Sequence, residues 1–503
     1  MSLVREQGRP AADRTPVIVG AAQIAQRADD PALAREPLLL MEDALRAAAE
    51  DAGAPALLAQ ADSVAICQGL TSYANPAAWL AARFGATAES VLGSISGTSV
   101  QQLVADAALA IGAGRRELVL IAGGEAESSA RRLRRAGGKP ARSCAEGPPP
   151  DRKLGVQLTA ADWKGPDISA GLSSPAACFA LFETALRHRL GLSVEEHRAR
   201  IAGLWSRNAR VAAENPYAWV RRAPSAEEIA TPAPDNPWIA APYTKLLVAN
   251  MVVDQAAALI LTSAGRARRL GIPESRWIYP HASVQAVLVR EVSRRDTLAA
   301  EPPLARVAQR ACELARLEPS AAELLDFYSC FPAPVQLTAE ALGLPLERPL
   351  TLTGGLTYGG GPFNSYVLHA IATAVARLRE QRDARALVTS VGGFFSKHAA
   401  GVYGGAPPEH GFAFADLADE VRATPERAFD GDFSGEAEVE AYTVNAERGR
   451  LTTAVVACRT PRGARTWARA SDAALAERFA HEDLVGARVR IASDRQLSGT
   501  FRN

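Results

Sequence analysis

Through roughly the first 400 residues, short apolar runs alternate with stretches of helical spacing. Residues 16–20 (PVIVG) form a β-branched run ended by glycine, and residues 37–51 are an Ala/Leu-rich stretch that predicts a helix. Residues 61–68 (ADSVAICQ) and 117–122 (ELVLIA) predict further strands, with a helix buried on most sides over 98–112 between them. None of these strand runs alternates apolar with polar positions, as expected of a sheet covered by helices on both faces. Helical patterns return over 175–189 and 193–213, the second opened by Ser193 with Glu196 as a capping box. Residues 252–261 (VVDQAAALIL) predict another core strand.

A weak internal repeat organises this half of the pattern. Its first copy is the loop SISGTS, a helix over 100–112, a short turn, ELVLIA and Gly123-Gly124. Its second is the loop GGGPFNS, a helix over 366–380, the turn QRDA, RALVTSV and Gly392-Gly393. A glycine-rich loop at a helix N-terminus presents free backbone N–H groups and the positive end of the helix dipole, so two such loops point to a pseudo-symmetric site for a carbonyl or an anion.

Residues 125–150 are basic and then Pro-rich, which predicts an exposed loop whose cations could meet a phosphate-bearing ligand, and residues 223–243 predict a meandering loop. Past Gly405 the texture changes to short alternating strands at 438–445, 451–459, 464–470 and 487–492, with turn signals between them, which predicts a small β-barrel of the OB type.

A chain of 503 residues, 48% apolar, exceeds what one core usually holds. With 56 basic against 55 acidic side chains the net charge is +1, which removes the electrostatic reason to propose nucleic acid or an anionic membrane as partner. The six cysteines are scattered without a Cys-x-x-Cys pair, and no histidines stand at metal-ligand spacing, so neither a disulfide framework nor a metal site is expected and a reducing cytoplasm is. No stretch runs about 18 apolar residues without charge, so a soluble protein is expected.

The strings AGGEAES (122–128), VDQAAALIL (253–261), YSCFP (328–332), GGLTYGGGP (354–362) and SVGG (390–393), in this order, resemble a thiolase of the sterol-carrier-protein type over residues 14–405. With the added barrel the chain resembles thiolase-like proteins of type 1. The resemblance implies an α/β thiolase fold: two pseudo-symmetric βαβαβ halves in a five-layer αβαβα core, plus a C-terminal OB-like barrel. Residues 1–125 and 251–270 would form the first half, 126–250 a loop and helical insert, 271–405 the second half and 410–503 the barrel. It also implies a CoA ester as ligand, no other cofactor, an acyltransferase name by descent, and self-association unless the barrel covers the pairing surface.

The same resemblance shows what is missing. The family's nucleophile is a cysteine at the N-terminus of the buried helix, where the dipole favours a thiolate; here Ser96 or Gly97 stands there. Tyr328 takes the place of the His or Asn that precedes the Cys-Phe pair, Gly361 that of the histidine in Gly-His-Pro, and Ser390 that of the second cysteine. The glycines Gly354, Gly355, Gly392 and Gly393 are retained, so the pocket shape is expected to persist without the standard reagents. Gly97, Gly361, Pro362, Asn364, Gly392 and Gly393 are then the candidate ligand-binding residues. Tyr328, Tyr358, Ser96, Ser390 and His398 are the candidates for altered chemistry, with the two tyrosines as acid and base in a retro-aldol cleavage. The expected function is binding of CoA or an acyl-CoA in lipid or steroid metabolism. A Tyr/Ser acyltransferase or lyase, and a scaffold protein, are the alternatives.

Overall fold

In the computed structural model the described residues are 3–6, 12–156, 165–288 and 290–502. Two six-stranded sheets carry the body. The first runs Pro16–Ala25, Asp254–Ser263, Leu118–Ala126, Ser63–Cys67, Glu89–Gly93, Arg152–Leu154. The second runs Leu3–Glu6, Ala413–Asp416, Tyr279–Val287, Lys397–Gly404, Arg385–Gly392, Leu324–Asp326.

Pseudo-symmetry is visible in the strand senses. Pro16–Ala25 pairs antiparallel with Asp254–Ser263, which pairs antiparallel with Leu118–Ala126, which pairs parallel with Ser63–Cys67. In the second sheet Tyr279–Val287, Lys397–Gly404, Arg385–Gly392 and Leu324–Asp326 repeat antiparallel, antiparallel, parallel. The helices Ser99–Gly112 and Tyr366–Glu380 touch both sheets and form the middle layer, while Pro37–Asp51 and Pro302–Ala315 cover the outer faces. Burial on both sides is why Leu118–Ala126 and Asp254–Ser263 are buried at every position and lack period-2 alternation.

The C-terminal strands Gly435–Glu447, Arg450–Arg459, Arg465–Ala470, Arg488–Ile491 and Leu497–Arg502 close into a barrel of OB connectivity. Strand three lies beside strand two, two beside one, one beside four and four beside five. A parallel bridge from Arg469 to Gln496 joins three to five, and the helix Ala473–His481 lies between strands three and four. Val439, Tyr442, Val456, Phe479 and Ile491 give the barrel a core of its own.

Two local expectations are corrected. Residues 127–135 are not loop: Glu127–Arg135 is a helix, started where the Asp254 carboxylate accepts the Ser129 N–H at 3.0 Å and supported by the i,i+4 pair Glu127–Arg131. The 223–243 segment is not all loop, because Ser225 caps a short helix, Ala226–Ala230, and Trp238–Ala241 adds a strand to the edge of Gly435–Glu447. At the end of the first sheet the short strand Arg152–Leu154 pairs with Glu89–Gly93, with Arg152 held bidentately by Asp106 at 2.9 and 2.6 Å.

Candidate functional site

Three loop tips meet at the N-terminal end of the helix Ser99–Gly112. A Cβ on Gly97 would lie 2.0 Å from the Val391 carbonyl oxygen and 2.7 Å from the Tyr328 hydroxyl, and one on Gly392 would lie 2.5 Å from Ser96 Oγ. Ser96, Gly97, Tyr328 and Gly392 are therefore brought together, as the sequence implied. The junction is closed: Ser96 is buried with its hydroxyl 2.7 Å from Thr98 Oγ1, and the Tyr328 ring stands edge-on to Tyr366.

Gly361, Pro362 and Asn364 belong to the next loop along. Gly361 N–H donates to the Asn250 carbonyl, and the Asn364 amide donates to the Gln68 carbonyl at 2.8 Å. Ser365 of the same loop presses on Gly123, where an added Cβ would also meet Cys67, so Cys67 lies between the two loop groups.

The remaining candidates are placed elsewhere. Ser390 donates to the Ala399 carbonyl across the strand pair and is fully buried. Tyr358 donates to the Leu246 carbonyl at 3.0 Å, with Arg222 and Glu228 as its charged neighbours, whereas Tyr328 feels Cys330 and Cys67. The two phenols occupy different environments and do not form the acid–base pair that the lyase alternative needs. Burial raises both above the usual phenol range, so neither ionises at neutral pH. His398 is committed elsewhere: its ring stands edge-on to Phe395, and its Nε2 lies 3.2 Å from Glu301, which pairs with Arg295 at 2.6 Å in a buried triad. It sits on a central strand, paired on both sides, and its side chain is used by that triad.

The cysteines offer no substitute nucleophile. Burial pushes the Cys67 and Cys178 thiols up to about 12 and Cys330 further, so all three stay protonated at neutral pH. Among the described residues no group of three His, Cys, Asp or Glu side chains is arranged to hold a metal ion.

Two features of the site carry no sequence signal strong enough to find. The first is the turn after Gly392: Gly393, Phe394 and Phe395 stand in succession at φ 56°, 52° and 66°. A non-glycine residue in the left-handed region costs roughly 1–3 kcal/mol and persists only when its surroundings impose it. Here they do, since the Phe394 carbonyl accepts from Arg295 at 2.8 Å and from the Cys178 thiol at 3.7 Å, and Phe395 packs between Phe179 and Phe182. Beside this turn lies a cavity of about 70 Å³ lined by Ile168, Leu172, Cys178, Val292 and Phe394, and Arg290 and Ser396 are shared with a second cavity of about 140 Å³.

The second is Glu125, 2% exposed, whose Oε1 accepts the Leu70 N–H at 2.7 Å. Burial raises its pKa from 4.5 to about 7. The folded protein then binds the proton more tightly than the unfolded chain, so this carboxyl's contribution is full below pH 4.5 and is lost as pH rises through 7. Glu125→Gln keeps the acceptor and removes the charge. Urea midpoints are expected to show the variant more stable than the wild type at pH 8 by on the order of 2–3 kcal/mol, with the difference closing by about pH 5. A difference that does not change with pH would show that Glu125 titrates normally.

Around these loops the surface is mixed. Exposed Tyr217 and Met251 flank them: the Gln255 amide bridges the Tyr217 and Gly359 carbonyls, and Met251 follows Asn250. In the basic segment Arg131 and Arg134 pair with Glu127 and Arg132 donates to the Ala28 carbonyl, whereas Arg135, Lys139 and Arg142 are exposed and make no ion pair with a described residue.

A family model described as the thiolase-like protein type 1 additional C-terminal domain matches residues 416–496. No curated protein matches in sequence. Among solved structures, a monomeric SCP2-thiolase like protein type 1 from Mycobacterium smegmatis is 30% identical, covering 97% of this chain and 99% of its own with a TM-score of 0.82. The dimeric peroxisomal thiolase of Saccharomyces cerevisiae (16% identity, TM-score 0.57, 78% of this chain and 98% of its own) shares the fold. So does a structure described as the Ltp2-ChsH2(DUF35) aldolase (20% identity, TM-score 0.55, 78% and 98%). Matched along nearly its whole length in both sequence and fold, the chain belongs to the SCP2-thiolase-like protein type 1 family.

Proposed function

We propose that the protein binds an acyl-CoA of lipid or steroid metabolism and does not carry out thiolysis. The observation that carries this is the closed junction at Gly97: backbone and a phenol fill the space beside the helix N-terminus, and no ionisable thiol lies near it. The cavities at the Gly393–Phe395 turn combine apolar walls with Arg290 and Arg295 and supply a slot for the acyl or pantetheine part. We assign the phosphates to the exposed cations Arg135, Lys139 and Arg142, whose exposure leaves them accessible to an anion. We read the chain as a monomer, as its type 1 relative from Mycobacterium smegmatis is described.

Calorimetry with acetyl-CoA and a long-chain acyl-CoA is the test. Saturable binding is expected for the long-chain ester, weakening by roughly tenfold between about 20 mM and 0.2 M salt, because exposed phosphate contacts are screened. Labelled acetyl-CoA is expected to leave no acyl group on the protein. Absence of heat at every salt concentration would overturn the binding half of the proposal, and an acylated Cys178 or Cys330 the other half.

A further inference from the structure

At the far end of the strand Arg385–Gly392, about 23 Å from the Gly392 loop at 3.3 Å per residue, the surface holds a cavity of about 540 Å³. That volume falls in the range of small-molecule sites. Its polar lining comes from four separate segments: Arg310, Glu313 and Arg316 from the helix Pro302–Ala315 and the residue after it, Arg385 from the start of its strand, His281 from Tyr279–Val287 two strands away, and Glu409 and His410 from the loop that follows Lys397–Gly404. Leu314, Pro408 and Phe412 provide apolar wall.

The charges are not balanced. Glu313 is shared between Arg306 and Arg310, and Glu409 between Arg316 and His410. Arg385 has no carboxylate of a described residue within ion-pair distance. Among the described residues its guanidinium reaches only the carbonyls of Asp383 and Ala384, at 3.3 and 3.2 Å, although the residue is half-buried. Arg310 and Arg316 have a structural use: Arg310 pairs with Glu313 within its helix, and Arg316, just past the helix end, offsets the carbonyl dipole there and pairs with Glu409. Arg385 has no such use: it lies against His281 over Gly404, where an added Cβ would be 2.8 Å from His281 Nε2 and 3.0 Å from Arg385 Cδ. His281 is itself nearly buried and is spent on the Ala406 carbonyl at 2.9 Å.

A half-buried guanidinium that faces a roomy polar cavity with two further arginines on its rim lacks one thing, an anion of matching geometry. We infer that this groove binds a compact organic dianion, a phosphate ester or a dicarboxylate, at a site separate from the loops of the proposed acyl-CoA site. The bidentate group docks on Arg385, Arg310 and Arg316 hold the second charge, and the apolar wall takes the body of the ligand.

Calorimetry on the full chain tests this with three probes: inorganic pyrophosphate and ADP for the phosphate class, and succinate for the dicarboxylates. Saturable binding of at least one class is expected, with Arg385→Gln weakening it at least tenfold. The exposed Arg316→Gln is expected to weaken it as well, which keeps the test open should Arg385→Gln fold poorly. Arg462→Gln, on an exposed barrel turn, is expected to change nothing. The inference is overturned if no probe binds saturably, or if the Arg385 and Arg316 variants both bind as the wild type does. Long-chain acyl-CoA affinity measured on Arg385→Gln is expected to stay unchanged, so this site and the acyl-CoA proposal stand or fall separately.

Discussion

Installing a thiolase-like thiol by Gly97→Cys is expected to destabilise the protein by about 4 kcal/mol and to restore no acyl transfer. The added Cβ would stand 2.0 Å from the Val391 carbonyl oxygen and 2.7 Å from the Tyr328 hydroxyl, and the first of these is backbone of a strand that pairs at that position with His398. Overpacking of side chains alone typically costs about 1–3 kcal/mol, and a clash with an immobile carbonyl lies above that range. Tyr328→Ala removes only the second contact, so the double variant is expected to remain destabilised. Urea unfolding and labelling with radioactive acetyl-CoA read out the two halves of the expectation. A Gly97→Cys protein as stable as the wild type that takes up acetyl label would mean that the junction opens, and that the absence of thiolysis rests on one missing atom and not on the packing.

Much of the body was legible from the apolar runs. The helices Pro37–Asp51, Pro175–Arg189 and Tyr366–Glu380 have the predicted bounds, because Pro at N1 or a glycine-rich loop marks each start, and the repeat of loop, helix and strand is the pseudo-symmetry of the two sheets. The barrel strands were readable from their alternation, but their order round the barrel is set by pairing between distant segments and was not legible. What escaped was set by distant partners. The helix Glu127–Arg135 begins on Asp254, a residue 125 positions from Ser129, and Trp238–Ala241 becomes a strand only because Gly435–Glu447 offers an edge.

The site divides in the same way. Glycine loops and lost reagents are properties of the sequence, so Ser96, Gly97, Tyr328 and Gly392 could be named as neighbours beforehand. Side-chain direction is not such a property. Tyr358 and His398 lie close in sequence to the right loops yet are committed to Leu246 and Glu301, because neighbouring positions on a strand or short helix face different layers. The strained Gly393–Phe395 turn is written in no local motif, since phenylalanine has no preference for the left-handed region and is held there by Arg295, Cys178 and the aromatic cluster around it.

That dependence on distant residues makes Arg465 the most consequential contact between barrel and body. It is fully buried, and its Nε and Nη2 grip Glu440 at 2.8 and 2.6 Å while Nη1 serves the carbonyls of Val292, Ser293 and Arg295. The same 292–293 segment gives its N–H groups to Asp167, which also accepts the Trp467 indole N–H, so the barrel fixes one wall of the cavity beside Phe394. Arg465→Met fills the space and leaves the Glu440 carboxylate and three carbonyls without their donor. Removing one partner of a buried pair costs roughly 3–5 kcal/mol. Hydrogen exchange is expected to accelerate over 292–295 and the barrel strands while the helix Pro37–Asp51 stays protected, and long-chain acyl-CoA affinity is expected to fall with the loosened wall. Arg459→Met is the comparison: that arginine pairs with Glu438 at 2.8 Å with both side chains 45% exposed, and an exposed pair contributes about 0–1 kcal/mol. Equal losses from the two variants would show that Arg465 is one surface cation among many and that the barrel does not shape the cavity.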